Sequence, residues 1–276
     1  MLNTILLNTG NLNGYYLSSS GALSAELVTF DSYIFGGDIT VTDIKEDSAP
    51  DRDVAITNAV RSHGQYIVSD YFTSKKITIK GWCKKLTQED LDNWIDEFKK
   101  SLIKQSGNLD ITRRGVARRR YQATLINFGT MFEDKEPYHV TVTPFTCEFL
   151  CVDPFGYDTE YSYYEETLTA DANISVTSTG TFTTKPVIYI SVDSGSIDSI
   201  TITNITTGAS ITVPETITTG ILKIDSELLE VTVNDVQKNF TGAFLSLIAG
   251  TNILQFTITG SGYNLNTTIK WKNSFI

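Results

Sequence analysis

The chain has 276 residues, of which 41% are hydrophobic and 20% charged, a globular composition with enough length for two domains. No apolar run approaches the roughly 18 residues of a membrane span, and residues 1–7 lack the basic lead-in and cleavage site of a secretion signal. The expectation is assembly in the cytoplasm without membrane insertion. The net charge of −10 is uneven: residues 1–152 carry 17 Lys+Arg against 19 Asp+Glu, residues 153–276 only 5 against 13, with no arginine after Arg120. An acidic half of that kind is a poor partner for phosphate backbones.

The first 40 or so residues are polar and glycine-rich, with apolar patches at residues 5–7 and 23–30 that suit packing against a neighbour. Residues 39–45 alternate as a short strand, and the acidic stretch 43–53 around Pro50 reads as an exposed loop. Residues 76–83 alternate with period two, which puts Ile77, Ile79 and Cys83 on one face of a strand. Thr87 and Asp90 then resemble a helix cap. Leu91, Trp94, Ile95, Phe98 and Leu102 follow at helical spacing, with Lys99, Lys100 and Lys104 at the end and Gly107 as the stop. This predicts one amphipathic helix over about 88–104. Burying its five apolar side chains is worth on the order of 7–15 kcal/mol gross, so it requires a sheet to lie on. Strands predicted at 109–112, 120–128 and 138–152 supply that sheet.

Composition shifts at residues 153–156. From there to the end stand 23 threonines and no helical period. Short strands are predicted at 186–192, 197–205, 209–213, 221–224, 229–233, 252–259 and 267–271, punctuated by turn signals at 193–196, 206–208, 218–220 and 260–262. The pattern is that of an antiparallel β-sandwich. The expected fold class is therefore mainly β: residues 1–152 form a sandwich- or barrel-like domain with one helix, and residues 153–276 a second β-sandwich.

No constellation of an enzyme emerges, and no metal or cofactor is expected. His63 and His139 have no spacing that joins them to carboxylates. Cys147 and Cys151 are four residues apart on a strand, roughly 13 Å, too far for a disulfide; with Cys83 they read as buried reduced thiols. The stretch 193–198 only superficially resembles a calcium loop, and Glu165–Glu166 reads as solvated surface. Tyr157, Tyr161, Tyr163, Tyr164 and Trp271 invite sugar stacking, with edge packing the commoner use of such rings. Arg113, Arg114, Arg118, Arg119 and Arg120 fall within eight residues. They read as a solvated hairpin tip, as phosphate contacts, or as one half of an interface between copies. In the last reading Asp43, Glu46, Asp47, Asp51 and Asp53 are the acidic counterpart, and complementary patches on one surface suit a closed ring.

Three features follow in a fixed order: a strand ending Lys80-Gly81-Trp82 with its helix, the strand Arg120-Tyr121-Gln122-Ala123, and the segment closing on Cys151, Asp153, Pro154, Phe155 and Tyr157. Gly250-Thr251-Asn252 and Trp271 fit as well. This order resembles the distal tail protein family of siphovirus-type bacteriophages, over most of residues 40–276. The resemblance implies an N-terminal domain that assembles as a hexameric ring at the end of the tail tube and a galectin-like C-terminal sandwich projecting outward. It further implies a virion structural protein without catalytic residues. Its partners would be its own copies, the tube protein, and tail-tip or receptor-binding proteins, with DNA passing through unread. Inserted sugar-binding modules found in some members have no room here, and the histidine and arginine of a galectin sugar face are missing from this half.

Overall fold

A computed structural model describes residues 28–45, 50–58, 63, 65–113, 117–130 and 141–276. The apolar patch at 5–7 and most of that at 23–30, together with Glu46, Asp47, Arg114 and His139, lie outside the described residues. The chain divides into two compact units between Gly156 and Tyr157, with Ile276 counted in the first.

The first unit is mainly β with one helix among the described residues. Its strands are β1 (Val28–Phe30), β2 (Tyr33–Ile34), β3 (Ile39–Lys45), β4 (Arg52–Asn58), β5 (Gln65–Phe72), β6 (Lys75–Lys84), β7 (Gly107–Arg113), β8 (Ala117–Thr130) and β9 (Val142–Cys151). Helix α1 (Gln88–Leu102) lies between β6 and β7. Seven strands make up the main path of a sheet, in the order β2-β1-β7-β8-β9-β6-β3, while β4 and β5 pair only with each other. The acidic stretch read as a loop has strand at both of its ends, with Pro50 and Asp51 outside any strand. Residues 43–45 complete β3, and β4 begins at Arg52.

Helix α1 forms where its residues predict. The Thr87 hydroxyl accepts the Asp90 N–H at 3.1 Å and donates to the Asp90 carboxylate at 2.7 Å, which satisfies one orphan donor of the first turn. Leu91, Trp94, Ile95, Phe98 and Leu102 are all buried. Phe98 is the centre of the packing, with the rings of Trp94, Tyr33, Phe128, Phe145 and Phe35 at 4.7 to 5.5 Å. The helix stops at Leu102, earlier than its periodicity predicts. Ile103 donates back to the Lys99 carbonyl, and Gly107 opens β7 instead of ending the helix. Ile77, Ile79 and Cys83 are fully buried on one face of β6, as the alternation predicts.

The second unit begins with β10 (Gly156–Asp158) at the division, then β11 (Ser162–Leu168), β12 (Ala172–Ser178), β13 (Val187–Asn204), β14 (Ser210–Val213), β15 (Gly220–Asp225), β16 (Glu230–Val233), β17 (Val236–Gln237), β18 (Thr241–Gly242), β19 (Gly250–Trp271) and β20 (Ser274–Phe275). Two pairs of predicted strands are each one long strand. Residues 186–192 and 197–205 merge into β13, and 252–259 and 267–271 merge into β19. β13 and β19 run antiparallel along most of their length, with register shifts between Val192 and Ser199. On one side of the irregular zone they carry β11, β15, β16 and β17; on the other, β12, β14 and β18. Both halves turn their alternate residues into one core, among them Ile188, Ile190, Ile200, Ile202, Leu254, Phe256, Leu265 and Ile269. Gly195 and Gly262 meet at the bend with φ of +75° and +57°, and a Cβ on Gly195 would stand 2.3 Å from the Gly262 carbonyl oxygen.

Replacing Phe98 by Ala removes the centre of the ring cluster and is expected to cost about 3–5 kcal/mol, read as a lowered urea midpoint for the first unit. Asp31 gives a smaller, pH-dependent case. Its carboxylate accepts from Lys104 Nζ at 2.8 Å and from the Asn108 N–H at 2.7 Å, and chiefly the lysine contact holds its pKa below the usual value. Its stabilisation is present at neutral pH and is lost as pH falls through the depressed pKa. Being partly exposed, it is worth under about 1 kcal/mol. Asp31→Asn should therefore lower the unfolding free energy at pH 7, with the difference from the parent closing by pH 3.

Candidate assembly surface

The β4–β5 hairpin differs from every other strand pair described because it buries almost nothing. All seven residues of β4 are exposed, and β5 has only two partly covered positions, Ser69 and Phe72. Yet its residues are those of a strand with something to cover: Val54, Ile56, Tyr66, Ile67, Val68 and Tyr71 are all exposed, Ile67 and Val68 at 64% and 67%. The register pairs Arg52 with Phe72, Val54 with Asp70 and Ile56 with Ile67, so these side chains share one face. Asp53, Ala55 and Thr57 share the other with Tyr71, Ser69 and Tyr66. Val68 is the extra residue of a bulge between them.

The base of the hairpin is well held. Asp51 and Thr73–Ser74 exchange backbone bonds of 3.1 and 2.8 Å. Arg52 pairs with Asp70, holding that carboxyl below its usual pKa, and its guanidinium lies 5.7 Å from the Phe72 ring centre. Phe72 in turn meets the edge of Phe155 at 5.9 Å. This gives the Asp153-Pro154-Phe155-Gly156 segment a physical role. The Asp153 carboxylate accepts the Phe155 N–H at 3.1 Å, which fixes the turn. At Gly156 a Cβ would lie 2.7 Å from the Tyr121 ring, so only glycine fits.

The arginines do not stay together as one patch. Arg118, Arg119 and Arg120 lie on β8, opposite Thr112, Ile111 and Asp110 of β7. Arg120 makes a two-pronged contact with the Asp110 carboxylate at 2.7 and 2.8 Å. Arg118 bonds Thr29 Oγ1 at 2.8 Å and approaches Asp110 at 3.4 Å. Arg119 shares the core-facing side with Ile111. Arg113 ends β7. Of the acidic counterparts, Asp43 is exposed on β3, and Asp51 and Asp53 are exposed at the root of the hairpin. The sequence pattern missed the hairpin itself. Its signal was the alternation of Val54 and Ile56 and of Tyr66 and Val68.

Among the described residues no cluster of three His, Cys, Asp or Glu side chains could hold a metal. Cys83, Cys147 and Cys151 are buried and unlinked, and burial raises the Cys83 thiol to about 11. Glu165 and Glu166 are neighbours on β11, so their side chains point to opposite faces, and Glu166 accepts the Tyr164 hydroxyl at 3.1 Å. The 193–198 stretch is the irregular zone of β13, where Asp193 accepts from Asn266 at 2.6 Å. An open groove of about 640 Å3 beside α1 is lined by Trp82, Trp94, Asp38, Lys85, Asp90 and Glu97; the Asp38–Lys85 ion pair, 2.7 Å, occupies its wall.

An open sheet with one helix, a hairpin whose apolar residues face outward, and a β-sandwich after it describe a β-rich scaffold protein. Residues 179–275 match the family described as siphovirus-type tail component, C-terminal domain. The fold matches the crystal structure of the SPP1 Dit (gp 19.1) protein, described as a paradigm of the hub adsorption apparatus in Gram-positive-infecting phages. The TM-score is 0.71 at 14% identity, over 91% of this chain and 99% of that one. Chains of the phage P2 baseplate in its activated conformation align at TM-scores of 0.40 with Ca and 0.37 with Sr, each at 10% identity. They cover 86% and 84% of this chain and 91% and 90% of theirs, a likeness too loose to argue from. No curated protein matches in sequence. The chain thus has the fold of a distal tail protein, and the resemblance first carried by residues 76–157 is joined by a family match over the second unit.

Asp110 is 5% exposed and carries the guanidinium of Arg120. Asp110→Ala is expected to cost about 1.5–3 kcal/mol in a denaturation experiment, while Asp53→Ala, at an exposed position, stays within about 0.5 kcal/mol.

Proposed function

We propose that this chain is the hub of a siphovirus-type tail: a ring of six copies at the end of the tail tube, joining the tube to tail-tip and host-recognition proteins. The first unit forms the ring, and the second extends from it. The ring leaves an axial passage for DNA, which it does not read. The protein acts by contact and catalyses nothing, and its place is the virion tail.

The observation that carries this reading is the β4–β5 hairpin, with apolar side chains on a ribbon that no layer covers among the described residues. Isolated hairpins are marginal in water, and apolar patches of this kind mark interaction surfaces. The family match and the Dit fold support a tail component as the setting. Contacts between Asp43, Asp51 or Asp53 of one copy and the arginine-bearing end of β8 in the next would add orientation.

Ile56→Asp with Ile67→Asp should leave the fold intact and convert the ring to monomers, measured by light scattering after size exclusion and by electron microscopy. A wild-type protein that stays monomeric at high concentration, or a doubly substituted one that still forms rings, defeats the assignment. Asp53→Lys and Arg113→Glu should each weaken association, and the two together should recover part of it if the charged patches meet.

A further inference from the structure

The second unit holds only five lysines. Two are neutralised within it: Lys223 contacts Asp225 at 3.0 Å and Glu230 at 2.9 Å, and Lys238 contacts Glu215 at 3.1 Å. Of the other three, Lys270 and Lys272 come together at one end of the sheet. Tyr163 on β11 pairs with Lys270 on β19, and Lys270 with Val187 on β13. Tyr161 and Lys272 stand just beyond the ends of β11 and β19, whose outermost pair is Ser162 with Trp271. The ammonium groups of Lys270 and Lys272 lie 4.3 and 4.6 Å from the centre of the Tyr161 ring. Among the described residues no carboxylate lies within ion-pair distance of any of the three lysines. Tyr163 stands beside them, 69% exposed.

We infer that Lys270 and Lys272, set by Tyr161, form a docking site for a short carboxylate-bearing segment of a partner protein. The phenol ring attracts both ammonium groups and holds them close to each other, an arrangement that mutual repulsion opposes and a shared anion completes. Because the Tyr161 ring holds two ammonium groups, stacking on a sugar from that face would displace them. The open ring is that of Tyr163, which offers an apolar anchor of the kind found at protein contacts. The surrounding charge separates a segment from a long polyanion. Residues 153–276 carry 13 acids, with Glu160 and Glu165 close in sequence to the two tyrosines. A continuous phosphate polymer leaving the patch would meet that field within a Debye length of about 8–10 Å. A segment with two or three carboxylates between neutral residues would not. This site lies wholly in the second unit and does not rest on the ring.

The test uses the full chain and two probes, an acetylated Gly-Asp-Tyr-Glu-Gly-Asp-Gly peptide and a short poly(glycerol phosphate), followed by NMR titration at low salt. The expected result is peptide-induced shifts at Lys270, Lys272 and Tyr163. Binding should weaken roughly ten-fold in Lys270→Glu/Lys272→Glu and disappear for a peptide with Asn and Gln in place of the acids. Tyr161→Phe should bind as the parent does, and Tyr161→Ala more weakly at unchanged net charge. Tighter binding of the phosphate polymer, lost in the same double variant, overturns the assignment to a protein segment. Absence of shifts with either probe overturns the site.

Discussion

A two-stranded ribbon has no interior. Every other strand of the first unit has a layer to lie against, and its alternate residues pack on α1 or on the sheet, as Ile77, Leu109 and Phe149 do. β4 and β5 have only each other, and strand alternation then sends apolar side chains into water on either face. Fully burying one such side chain stabilises by about 1.5–3 kcal/mol, so covering all six supplies about 9–18 kcal/mol, the size of the entropic cost of association. The functional reading depends on this constraint, because nothing else among the described residues of the first unit calls for a partner so directly.

The rest of that unit is arranged so that the ribbon can be carried without being stabilised by its own contacts. Phe98 gathers five rings and fixes the helix to the sheet. On the opposite face of β7 and β8, Arg118 to Thr29 and Arg120 to Asp110 tie three strands together by hydrogen bonds. The Asp153 turn brings Phe155 against Phe72 at the foot of β5, so the ribbon starts from a defined point. Arginine and aspartate thus do structural work that their crowding in the sequence does not announce. The guanidinium of Arg120 is largely committed to Asp110 before any neighbour arrives.

What the sequence made legible follows the strength of each physical signal. The helix was readable because five large apolar residues keep the helical period and Thr87 marks the start. Its end was overrun because Lys104 and Gly107 look like a helix terminus, though the chain has already turned at Ile103. The hairpin was not readable because strand prediction rewards one buried face, and this one has none. β11 and β12 escaped for a related reason. Seven-residue strands such as Ser162–Leu168, with two glutamates and two exposed tyrosines, show little apolar alternation when only Leu168 is buried. β13 and β19 were cut at Gly195 and Gly260–Gly262 because glycine-serine runs usually mean turns. Here the glycines let two long strands bend together while the ladder continues. The arginine and aspartate patches were visible as composition, but their division between two faces of β8 needs the register.

The threonine content of the second unit has the same kind of explanation and leads to its surface chemistry. With the core supplied by alternate isoleucine, leucine and valine, the outward positions need β-branched residues that do not add apolar surface. Threonine satisfies both demands. Cross-strand hydroxyls meet directly, Thr201 with Thr212 and Thr203 with Ser210, each at 2.9 Å, and Thr177 with Thr251 at 3.4 Å. A sandwich clothed in hydroxyls and acids resists casual association, both through its polarity and through its net negative charge. Against that background a Tyr161 ring bearing two ammonium groups stands out by sign and by geometry together. The apolar hairpin of the first unit stands out in its own unit in the same way.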